Sequence, residues 1–136
     1  MRSFIRKSLA VFAAGCAGGF INSLAVWLFG IAGISAAMGV SLAPALTPAW
    51  LYPRIVWGGI WGFLFLLPVE RYGAWFKAFL YSLGPTLVQL LVVFPYKAGK
   101  GFFGLDLGLL TPLLVVFFNF VWGLAAVLLI EGSGRD

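Results

Sequence analysis

The chain contains no histidine and a single cysteine, Cys16. Without histidine it lacks the usual zinc-type ligand sets and any Ser–His or Cys–His nucleophile pair, and one cysteine forms no disulfide within the chain. Acidic residues are nearly as scarce, with only Glu70, Asp106, Glu131 and Asp136. Three of these fall near expected helix ends or the chain end, which argues against a buried carboxylate pair for acid–base work. No enzymatic activity, metal or cofactor is therefore expected. Charge of either sign is thin, at 10% of the residues, against roughly a quarter in a soluble domain. A chain that is 62% hydrophobic cannot cover a water-facing surface. Lipid is its natural solvent.

What the chain has instead is long apolar runs. A membrane helix needs about 20 mostly apolar residues. Four candidates fit: Leu9 to Ile34, Pro48 to Val69, Ala74 to Pro95 and Pro112 to Ile130. The expected fold is an all-α integral membrane protein, with residues 1–136 forming one domain of four transmembrane helices. Four spans put both termini on one side. Arg2, Arg6, Lys7, Arg71, Lys77 and Arg135 would share that side, and Arg54, Lys97 and Lys100 the other. The excess favours termini in the cytoplasm of a bacterial inner membrane. The net charge of +5 invites a nucleic-acid reading. The basic residues are scattered between apolar spans, however, and an orienting role is the better account. "MRSFIRK" and "AAGC" also suggest a secretion signal ending at Cys16. The apolar run continues well past that cysteine, which makes it too long for a signal core. Cys16 reads as a small packing residue.

The two halves of the chain echo one another. "FINSL" at Phe20 is answered by "FLYSL" at Phe79, "GVSLAPALTP" at Gly39 by "GLDLGLLTP" at Gly104, and "VWG" at Val56 by "VWG" at Val121. The order is kept throughout. This predicts two tandem helical hairpins, about 9–69 and 74–130, related by a pseudo-twofold axis along the membrane normal. Parallel repeats of that kind occur in transporters, and equally in bundles that transport nothing.

Thr47-Pro48 and Thr111-Pro112 are expected helix starts, because Thr caps well and Pro suits the first helical position. The connectors are unusual. Ser35 to Leu46 carries no charge at all, and Lys97 to Leu109 carries the aromatic pair Phe102 and Phe103. Irregular backbone must be covered or lie at the interface. An interfacial loop anchored by aromatics is the plainer account, and a re-entrant one stays open.

Polar groups inside a membrane are costly and so point to function by default. Arg54 lies about 9 Å along its helix from Pro48. It reads either as a snorkelling interface anchor or as an anion or lipid-phosphate contact. Pro53 beside it can kink the helix. Asp106 is a candidate partner for Arg54, and Lys97 and Lys100 add positive charge nearby. Asn22, Gln89 and Asn119 place one amide in each of three spans, either as a polar path or as interhelical glue. Gly15 and Gly19, and Gly58 and Gly62, recur at helical spacing and mark close packing, within one chain or between copies. Trp50, Trp57, Trp61, Tyr72 and Trp75 read as interface belts.

Two functions fit these residues. One is a transport or anion/lipid-headgroup-binding module, working as a homo-oligomer because so short a chain could hardly enclose a pore. The other is a non-catalytic accessory or assembly subunit packed against a larger membrane complex. In either, the partners are the bilayer and membrane protein, with no nucleic acid.

Overall fold

In a computed structural model, which describes residues 2–67 and 73–132, the charge-free run after the basic N-terminus is one helix, α1 (Arg2–Ile31). It begins earlier than its apolar stretch, so that Arg2, Arg6 and Lys7 ride on its first turns. It ends before Gly33, whose φ of 80° is the left-handed conformation that stops helices. A single turn, α2 (Ile34–Ala37), and an irregular segment lead to α3 (Pro48–Trp61), which tightens into a 3₁₀ turn at Gly62–Leu66. Helix α4 (Ala74–Val88) widens into a π-helical extension, Gln89–Lys97, that contains Pro95. Proline lacks the N–H that would close an α-turn there. Short 3₁₀ turns at Phe102–Leu107, kinked at Phe103 and Gly104, then precede α5 (Thr111–Gly132).

Three helices are long and apolar enough to cross a membrane: α1 with 30 residues, α4 with its extension (Ala74–Lys97) with 24, and α5 with 22. The stretch expected as the second span has 14 α-helical residues and then five in the 3₁₀ turn. Its expected end at Val69 lies outside the described residues, as do Glu70, Arg71, Tyr72, Arg135 and Asp136. The surface has the character of a membrane protein. Leu9, Leu28, Ile31, Leu87, Leu113 and Leu128 are exposed on the outside, whereas Asn22, Ser23, Ser82, Thr86 and Asn119 are buried. Water would penalise that distribution, and lipid favours it.

Helices α1 and α5 pack together at the centre, with α3 on α1 and α4 on α5. Glycine rows make the α1–α3 seam. A Cβ on Gly58 would stand 2.7 Å from the Gly15 carbonyl oxygen and 2.9 Å from Gly19 Cα. One on Gly62 would stand 3.1 Å from Gly15 Cα. The two rows therefore face each other within one chain. The α4–α5 seam uses Gly123, where a Cβ would stand 2.6 Å from the Ala78 carbonyl oxygen. The two connectors close the same end of the bundle. The Ser41 amide donates to the Leu107 carbonyl at 2.8 Å, and Gly108 lies against the backbone of Gly39. At the opposite end Arg6, Lys7, Lys77 and Glu131 border one cavity, and Lys77 Nζ pairs with Glu131 at 2.6 Å.

The two Thr-Pro starts differ. Thr47 has extended backbone and its hydroxyl accepts from the Trp50 amide at 3.2 Å, with Pro48 next in the helix. Thr111 does not cap. It already lies inside α5, its own amide donates to the Gly108 carbonyl, and its hydroxyl is fully buried with no partner among the described residues. Its methyl group is packed against Gly104.

Candidate functional site

Between α3 and α4, which make no extended contact, lies a cleft of about 480 Å³. Volumes of roughly 300–1,000 Å³ are typical of ligand sites. Helical spacing builds its walls. Pro53, Arg54, Trp57, Gly58 and Trp61 come from one face of α3, and Pro85, Val88, Gln89, Val93 and Lys97 from α4 and its π extension. Gly19 and Asn22 of α1, with Asn119 and Trp122 of α5, form the floor.

Arg54 is the centre of this site. Its Nε donates to Ser23 Oγ at 2.8 Å and its Nη2 to Asn22 Oδ1 at 2.8 Å. The guanidinium carbon lies 4.7 Å from the centre of the Trp50 ring, a cation–π distance. Asn22 is itself fixed, because its Nδ2 donates to the Phe118 carbonyl at 2.6 Å. Ser23 donates back to the Gly19 carbonyl at 2.7 Å and so has its oxygen free to accept. The side chain is thus held by neutral groups on α1, one helix away from its own. A guanidinium carries five N–H donors. Two of them are engaged among the described residues, and no described Asp or Glu lines the cleft.

A second polar cluster joins α4 with its π extension to α5. Asn119 Nδ2 donates to Thr86 Oγ1 at 3.0 Å and, more weakly, to Gln89 Oε1 at 3.4 Å. This leaves the Gln89 amide nitrogen without a partner among the described residues. Trp122 Nε1 bridges the Gly15 and Gly58 carbonyls at 3.2 and 3.3 Å, which ties α5 to the glycine seam. The site is therefore rich in donors and positive charge. Among the described residues no three Cys, Asp or Glu side chains come together.

Comparison with family models, curated proteins and solved structures gives no match.

Of the residues singled out from the sequence, Arg54, Lys97, Asn22, Gln89 and Asn119 border this one cleft. Lys100 and Asp106 do not. Asp106 is exposed in the connector beside Gly101, and no ion pair joins it to Arg54. Gly15, Gly19, Gly58 and Gly62 form the wall behind the cleft, where they let α1 approach α3 closely enough for Ser23 and Asn22 to reach Arg54. Helix α3 stays α-helical through Pro53. Trp57 and Trp61, expected in an interface belt, border the cleft. The positions 54, 57, 58 and 61 share one helix face, and that spacing was the available signal. Thr86 carried no signal beyond its place after Pro85.

Proposed function

We propose that this chain is a small membrane protein that binds an anion, free or as a lipid headgroup, at Arg54. The observation that carries the proposal is a guanidinium held by neutral partners in a cleft that no described carboxylate lines. A charge in an apolar environment is strongly unfavourable unless it is paired. Asn22 and Ser23 orient the group without neutralising it. Lys97 at the same cleft adds a second positive charge, and the Gln89 amide adds a donor. An anionic guest satisfies all three.

The proposed architecture is four membrane helices in two hairpins, about 9–69 and 74–130, with both termini in the cytoplasm of a bacterial inner membrane. Matching contacts in the two halves support the duplication. Gly58 packs on Gly19, and at the equivalent positions Gly123 packs on Ala78. The shared position of Arg6, Lys7 and Lys77 at one end supports the orientation. A 14.7 kDa chain encloses no wide pore alone, so transport would require a homo-oligomer.

The test is reconstitution. Purified protein is sized in detergent, then assayed for anion flux in vesicles as wild type and as Arg54→Ala. An oligomer whose flux is lost on substitution supports transport. A monomer without flux, unchanged by the substitution, contradicts it. Copurification of a larger membrane partner would favour the accessory-subunit reading.

A further inference from the structure

We infer that the guest is an anionic phospholipid, seated with its phosphate at Arg54 and Lys97 and one acyl chain along the α3–α4 cleft. This rests on the anion-binding reading of Arg54. It adds what lies beyond the anion.

The cleft carries its charge at one end and is mostly apolar along its length, with Gln89 and Asn119 as neutral polar groups on its wall and floor. Arg54 and Lys97 stand toward the end closed by the connectors, because α3 begins there and the π extension finishes there. From Arg54 the wall runs seven residues to Trp61, about 10 Å toward the bundle centre. On this path it presents Trp57 and Trp61, opposed by Val93, Val88 and Pro85. Trp57 and Val88 are exposed at 57% and 36%, so an apolar guest can reach both. A phospholipid in the leaflet on the connector side has the same order: phosphate at the interface, chain toward the midplane. A free anion would satisfy Arg54 but leave the apolar part of the cleft empty. No described carboxylate lines the cleft to repel a phosphate.

The experiment uses nanodiscs of phosphatidylcholine containing a minority of phosphatidylglycerol. A photo-crosslinking amino acid replaces Val88 in the cleft or, as control, Leu113 on the outer face of α5, and adducts are read by mass spectrometry. Phosphatidylglycerol should be enriched about thirtyfold over its bulk fraction at position 88, the preference expected of two basic contacts near the surface. At position 113 the adducts should follow the bulk ratio. Arg54→Gln should cut the enrichment to about fivefold, the share of the one basic contact left. Lys97→Gln, at an exposed position, should reduce it even if Arg54→Gln fails to fold. A bulk ratio at position 88 overturns the lipid proposal. A parallel titration of inorganic phosphate into phosphatidylcholine discs separates the two readings. A rise in melting midpoint that depends on Arg54, with no lipid enrichment, leaves anion binding intact and rejects the lipid. No response in either arm rejects both.

Discussion

Replacing each threonine of the two Thr-Pro motifs by valine should shift stability in opposite directions. The chemical change is the same at both sites: an OH becomes a CH₃ on a β-branched side chain of nearly equal volume. At Thr47 the lost oxygen accepts the Trp50 amide at 3.2 Å. Loss of such a cap costs about 0.5–2 kcal/mol. At Thr111 the hydroxyl is 0% exposed and unpartnered among the described residues. A buried polar group without a partner costs about 1–3 kcal/mol, so its removal should stabilise the protein by a comparable amount. The methyl group that packs on Gly104 is retained. Reversible unfolding of both variants in lipid bicelles, followed by tryptophan fluorescence, reads the difference. If both variants are destabilised alike, the Thr111 hydroxyl has a partner, a bound water or a backbone amide, and the distinction drawn between the two helix starts fails.

Gly58→Ala should destabilise the bundle, since its Cβ would meet backbone of Gly15 and Gly19 at 2.7 and 2.9 Å. Overpacking costs about 1–3 kcal/mol, partly offset by up to about 1 kcal/mol of helix propensity. Gly132→Ala, with nothing within 4 Å, is the control, and equal stability of the two in the same unfolding assay would count against the glycine seam. Trp122→Phe removes the two hydrogen bonds to the Gly15 and Gly58 carbonyls. It should cost about 0.6 kcal/mol per bond, read as a shift in unfolding midpoint.

The parts of the fold legible in the sequence are those set by local pattern. Charge-free length announces α1 and α5, and Thr47 followed by Pro48 announces the start of α3. The rest depends on contacts between distant segments. Thr111 repeats the Thr47 motif but opens α5 beneath a connector whose Gly104 packs on its methyl group and whose Gly108 packs on Gly39, and this buries it. The π extension follows from how residues 89–97 accommodate Pro95 while packing against the second connector, and no period in the sequence encodes that. At the site, Arg54 was conspicuous because a charge in an apolar run is rare. Its holders, Ser23 and Asn22, sit 31 and 32 positions away in sequence. They meet it only because two glycine rows let α1 and α3 approach. Charge alone groups Asp106 and Lys100 with Arg54, and the connector carries them elsewhere.

Anion binding at the Arg54 guanidinium, as proposed, is directly measurable. The most direct measurement is nitrogen-15 NMR of arginine side chains in nanodiscs during a phosphate titration, with Arg54 assigned by its loss in Arg54→Gln. The account predicts a saturable shift of the Arg54 Nη resonances that is weakened in Lys97→Gln. Unchanged Arg54 resonances, with neither added phosphate nor anionic lipid moving them, would contradict it.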